Sequence, residues 1–263
     1  MSRGWNFGQR ALSTFSIIVL AFLIVPILVI VPISFNSGAY FRFPPEGYSL
    51  RWYSAFWSDP EWLVALGRSF AISAGAAALA TIFGTLAAFA LRRVHPATGG
   101  VLLAIFIAPL IVPVVVLAAG AYFMLSAFGL IGTYAGMVAL HAVLGIPFVV
   151  LVVSAALKRF DPSLERAAQI SGSGPVRVLT RVTIPILAPA IVTGALFAFV
   201  TSFDEVVVGL FIAGPHWRTL PIKLFLGIQL EVTPLITVVA SLMIFFTVAV
   251  IIGAAGVSRM RKV

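Results

Sequence analysis

Six apolar runs dominate this chain, at roughly Leu12 to Phe35, Arg68 to Leu91, Val101 to Phe128, Thr133 to Leu157, Ala188 to Phe211 and Leu235 to Val257. A bilayer core takes about 20 residues of helix, and lipid offers backbone groups no hydrogen-bond partners, so runs of this length must be helical when they cross. We therefore expect an all-α membrane protein of six transmembrane helices. The 263 residues leave no room for a separate soluble domain, so a single transmembrane domain over 1–263 is expected, with its main polar loop at 158–187. The composition agrees: 61% of residues are hydrophobic, 10% are charged and the mean hydropathy is +1.14. The first run follows Arg3 and Arg10 and resembles a signal peptide. It is too long for one and no small-residue cleavage site closes it, so we expect it to be retained as an anchor.

The net charge of +9 raises nucleic acid as a partner. Placement argues against it. With the N-terminus inside, Arg3, Arg10, Arg92, Arg93, Lys158, Arg159, Arg166, Arg177, Arg181, Arg259, Arg261 and Lys262 all fall on the inner side. Only Arg42, Arg51, Arg68, Arg218 and Lys223 fall outside. That bias predicts both termini in the cytoplasm, and it scatters the cations over short loops that touch anionic lipid rather than along one nucleic-acid-binding stripe. The aromatic-rich segment from Asn36 to Gly67 is expected to lie along the outer membrane surface, either as an interfacial belt or as a docking surface. Prolines at 109 and 113 interrupt the third run and Pro147 the fourth, and each is expected to kink its helix. Cysteine is absent, which excludes a disulfide framework and thiolate chemistry. Three scattered histidines make no metal cage, and no nucleophile motif is present.

The stretch Leu164 to Pro189, LERAAQISGSGPVRVLTRVTIPILAP, carries four charges between apolar runs. Asp161-Pro162 is a good helix start, because the Asp side chain accepts from free N–H groups while Pro at the first position loses no bond. A short helix with a small-residue face (Leu164, Ala167, Ala168, Ser171) is predicted, with Glu165, Arg166 and Gln169 facing elsewhere. Gly172 and Gly174 should end it, Pro175 should start a second short helix, and Pro185 should mark re-entry into the membrane. A solvated linker would need no such two-part geometry, which suits insertion into a partner's groove.

The residues that make this loop resemble a family motif, the E-A-A-x-x-x-G, nine residues, I-x-L-P pattern of the membrane subunits of ATP-binding cassette importers. Here it reads Arg166-Ala167-Ala168, Gly172, then Val182-Thr183-Ile184-Pro185. The spacing matches; Arg166 replaces the usual glutamate, Val182 the isoleucine and Ile184 the leucine. Glu165 is the neighbouring acid. The later stretch SFDEVVVGLFIAGPHWRTLP, Ser202 to Pro221, is similar to the spermidine/putrescine branch.

The resemblance implies the type I importer permease fold and a location in the bacterial inner membrane. It implies a second permease subunit, paralogous or identical, two cytoplasmic ATPase subunits and an extracytoplasmic substrate-binding protein. Glu165, Arg166, Ala167, Ala168, Gly172, Ile184 and Pro185 would then couple to the ATPase. No lysine follows a glycine anywhere, so the chain has no G-x-x-x-x-G-K-[ST] phosphate loop. No cofactor is expected on this chain, and ATP would belong to the partner.

Asp204 and Glu205 sit inside the fifth apolar run. An ionisable group there costs on the order of 2.5 to 3.5 kcal/mol at mid-bilayer, so such groups normally face a cavity or a partner. With Phe203 and His141 they are the candidate solute-pathway residues, Asp204 and His141 being expected at similar depth in one cavity. The runner-up is an ion-coupled secondary carrier that uses Asp204, Glu205 and His141. That reading leaves the Glu165 to Pro185 loop without a purpose.

Overall fold

The computed structural model describes residues 7–230 and 233–259. The cations Arg3, Arg261 and Lys262 lie outside these residues. Among the described residues the regular structure is helical, apart from one isolated bridge between Asn36 and Tyr48. The helices are α1 (Phe7–Ser34), α2 (Arg51–Ser58), α3 (Pro60–Leu91), α4 (Pro96–Ile111), α5 (Val114–Ala127), α6 (Tyr134–Arg159), α7 (Pro162–Ile170), α8 (Pro175–Val178), α9 (Ile184–Phe203), α10 (Val207–Ile212), α11 (Leu220–Leu230) and α12 (Pro234–Arg259). A π turn, Leu179–Thr183, joins α8 to α9.

Among the described residues five helices are long and apolar enough to cross a membrane, and the bent pair α4 and α5 makes a sixth if it is one span. The two halves of that pair meet at 102°. The break falls at Val112 and Pro113, where the proline ring removes a backbone donor, so Pro113 acts as anticipated and the third run is not one straight rod. Pro109 and Pro147 are instead accommodated within α4 and α6. The second span begins earlier than its apolar run, at Pro60, because Glu61 and Trp62 belong to its first turn. Both join Lys223, whose Nζ lies 2.9 Å from Glu61 Oε2 and 4.6 Å from the Trp62 ring centre.

By contact density the chain divides into two compact units, Met1–Pro60 with Leu226–Ile244, and Glu61–Phe225 with Phe245–Val263. In the first unit α1 is exposed along most of its length, as an apolar helix meant for lipid or a partner would be. The aromatic segment that follows is folded rather than loose. Phe35 O accepts from Ser49 N, Trp52 Nε1 donates to Gly38 O at 3.1 Å and Arg51 Nη1 donates to Ser37 O at 2.8 Å. Phe56 is buried here, while Tyr40, Phe43, Tyr48 and Trp57 are exposed.

The second unit is built on α3, α6 and α9. Their contact is made of small residues, with Ala77, Ala80, Ala88 and Ala198 meeting Val149, Val153, Leu157 and Leu187. Small side chains let helix backbones approach closely, which is how apolar helices gain packing energy when lipid removes the hydrophobic drive between them. The approach is tight enough that a Cβ on Gly84 would meet Val149 Cβ at 2.7 Å, and one on Gly145 would meet Ala198 Cβ at 2.9 Å. At the far end of α3, Ser69 Oγ accepts from Leu220 N at 2.8 Å and seats the start of α11.

Candidate functional site

The polar loop folds locally much as its residues dictate. Asp161 caps α7, its carboxylate accepting from Ser163 N at 2.9 Å and from Ser163 Oγ at 2.6 Å. Those two bonds hold the Asp161 carboxyl below its usual range, with a smaller contribution from Arg166. Gly172 takes φ +83°, a left-handed conformation that a side chain would resist. Its N–H donates to Gln169 O while Ser173 N donates to Ala168 O, the paired bonds that close a helix end. Pro175 then opens α8 at its first turn.

Beyond α8 the backbone does not leave the helix: Pro175–Phe203 runs as one helical stretch of 29 residues, with Pro185 in the first turn of α9. The reason is the π turn. Its wider ring lets Ile184 N donate to Leu179 O, five residues back, and so relieves the clash that a proline ring at 185 would make in a plain α-helix.

The two acids of interest behave differently from what their surroundings in sequence suggest. Glu165 turns inward. Its two carboxylate oxygens take both arms of the Arg92 guanidinium at 3.1 Å each, and Oε1 also accepts from Thr183 Oγ1 at 2.8 Å. Partial burial alone would raise the Glu165 carboxyl, but the Thr183 hydroxyl and the Arg92 guanidinium outweigh it and bring it below its usual range. Arg166 is exposed, and with it stand Leu164, Ala167, Ile170 and Val176, the last two 87% and 73% exposed. Ala168 and Pro185 are half-buried, and Ile184 is at the surface. Much of α7 is thus left uncovered by the chain itself, and Arg177 and Arg181 are exposed as Arg166 is.

Asp204 and Glu205 are not inside a helix. Asp204 is the residue that closes α9, and Glu205 lies in the break before α10. The apolar residues on both sides conceal this break in the sequence. Glu205 Oε1 accepts from Val208 N at 3.0 Å and so satisfies a free donor of α10. Asp204 is exposed, with the Thr247 hydroxyl bonded to its carboxylate. His141 is enclosed. It is 0% exposed on α6, and Nδ1 hydrogen-bonds Ser202 Oγ at 2.9 Å and lies 3.2 Å from Ser202 O. Phe203 is 2% exposed and packs in a cluster of rings, 4.7 Å from Phe246 and 5.3 Å from Phe70 between centroids. In this conformation both residues hold helices together, while Asp204 and Glu205 stand at the break between α9 and α10.

Arg92, Thr183, Thr247 and Ser202 escaped the sequence reading as partners of these groups. Arg92 stood out only as one cation of a loop, since nothing local marks a pair 73 residues apart.

Comparison with known proteins gives these arrangements a context. The model of the family described as binding-protein-dependent transport system inner membrane component matches residues 80–262. The putrescine transport system permease protein PotI of Escherichia coli (strain K12) is 35% identical over 243 residues, covering 90% of this chain and 83% of that one. The spermidine/putrescine transport system permease protein PotC of Haemophilus influenzae is 32% identical over 254 residues, covering 94% of this chain and 96% of that one. Among solved structures, a bacterial ABC transporter involved in the import of the acidic polysaccharide alginate superposes with a TM-score of 0.71 at 16% identity, covering 100% of both chains. The family match spans most of the chain, and the fold and loop agree with it: this chain belongs to the inner-membrane components of binding-protein-dependent transport systems, as the multi-pass permease subunit of an ATP-binding cassette importer.

Proposed function

We propose that the chain lines half of a translocation pathway for a polyamine such as spermidine or putrescine, or for a related small amine. The observation that carries this reading is the acidic break at Asp204 and Glu205, where an exposed carboxylate interrupts an otherwise apolar stretch, in a chain whose relatives are named for spermidine and putrescine. A carboxylate placed where lipid would be costly offers an ammonium group a partner that a neutral pathway lacks.

In this reading α7 is the docking helix for a cytoplasmic ATPase. Its exposed face of Leu164, Ala167, Ile170 and Arg166 enters a groove of that partner, and Gly172 gives the turn that presents it. A second permease subunit, paralogous or identical, completes the pathway. Two ATPase subunits bind the ATP, and an extracytoplasmic binding protein delivers the solute. ATP-driven closure of the ATPases moves the permeases as rigid bodies between two facings.

The test is uptake of labelled putrescine or spermidine into vesicles holding the complete transporter. Uptake that requires both ATP and the binding protein is expected. Uptake by this chain alone under an ion gradient would restore the carrier reading, and ATP-dependent uptake of a sugar in place of the amines would overturn the solute assignment.

A further inference from the structure

The Glu165 carboxylate gathers three spans at one point. Arg92, the residue after α3, forks onto it at 3.1 Å through both arms. The same guanidinium lies 5.2 Å from the ring centre of Phe160, which closes α6 and is itself buried. Thr183, fully buried in the π turn that leads into α9, donates its hydroxyl to the same carboxylate at 2.8 Å. These three helices, α3, α6 and α9, are also the ones whose small residues interlock in the core of this unit. A two-armed guanidinium–carboxylate pair fixes direction as well as distance, and the third bond leaves Oε1 doubly held.

We infer that Glu165 is a positioning residue which braces α7 onto the packed body of α3, α6 and α9, so that a displacement of α7 moves that body as one piece, while the neighbouring Arg166 is displayed to a partner. The inference rests on the docking reading of α7. Without the brace α7 would keep only its chain ends and its light packing on α8 and the π turn, and a push on it would be absorbed by rotation about Gly172 and Phe160. The spacing of the family motif thereby gains a physical meaning in this chain. The residue before the motif's acidic position carries the internal anchor, which leaves the motif position free to be arginine.

The experiment uses the complete transporter, with Glu165→Arg, Arg92→Glu and the double exchange Arg92→Glu/Glu165→Arg. Uptake per ATP hydrolysed is measured together with retention of the ATPase on the purified permease. Each single change is expected to lower uptake per ATP by about tenfold, within the range of coupling between distant sites. The double exchange should return most of it, since the Thr183 hydroxyl can accept from an arginine as well as donate to a glutamate. Single variants that couple normally would overturn the brace. So would single variants that fail while the double exchange restores nothing, for then the glutamate acts through another chain. The docking reading is judged separately: the chain has no cysteine, so Arg166→Cys provides a unique thiol. Cross-linking of that thiol to the ATPase is expected, and its absence would sink docking, not the brace.

Discussion

Glu165 and the Asp204–Glu205 pair are both acids near the ends of helices, yet they are used in opposite ways. Glu165 lies in a polar loop, where a carboxylate costs little to expose, and it is held by Arg92 and Thr183. Asp204 lies amid apolar sequence, where a carboxylate is costly, and it stays exposed with Thr247 beside it. Hydropathy of the surroundings therefore says little about which acid is available to a ligand. What decides is which donors, side-chain or backbone, the fold brings within reach of the acid. Glu205 is half committed in this sense, since one oxygen caps α10.

The contrast can be broken at either end. Gly172→Pro should have the largest effect. A proline cannot take φ +83° and loses the N–H that bonds Gln169 O, so the end of α7 must open. Near-complete loss of ATP-dependent uptake is expected, with the protein still inserted in the membrane, and normal uptake would show that the loop's geometry is immaterial. Next comes Asp204→Asn with Glu205→Gln. For an amine solute kcat/KM should fall by about tenfold or more, roughly 1.4 kcal/mol of lost binding to the pathway, while ATPase retention is unchanged. Equal kinetics would reduce both acids to structural roles.

The smallest effect is on pH. Both Asp161 and Glu165 are depressed, so their stabilisation is fully present above the ordinary carboxylate range and is lost only as pH falls through their lowered values. A spin label at Arg166→Cys should keep the same mobility from pH 8 to about pH 5, since unperturbed carboxylates titrate near 4. Mobility should rise only below that. A transition near neutrality would mean that some other group governs α7.

Much of the loop was legible because its determinants are local. Asp161-Pro162 starts a helix and Gly172 ends it through bonds that reach only a few residues, and the folded loop has both. The same holds for Pro113, whose missing donor sits at the break between α4 and α5. What the sequence concealed was longer-ranged or compensated. Pro185 reads as a boundary until the π turn absorbs it. Asp204 and Glu205 read as mid-helix because apolar residues flank the break. The burial of His141 against Ser202 and of Phe203 among the rings of Phe70 and Phe246 was likewise invisible, because those partners come from other helices. Arg92 and Glu165 meet only because α3, α6 and α9 pack, and no short window of sequence contains that fact.

The π turn at Leu179–Thr183 sets a limit on insertions and deletions. Each residue of a helix advances the facing by about 100°, so removing one residue between Gly172 and Pro185 would restore an ordinary ladder but swing Thr183 away from Glu165 by about a quarter turn. Adding one would swing it the other way. The nine-residue interval after Gly172 is thus a matter of angular phase more than of reach, and drift in this loop can change letters far more freely than it can change length.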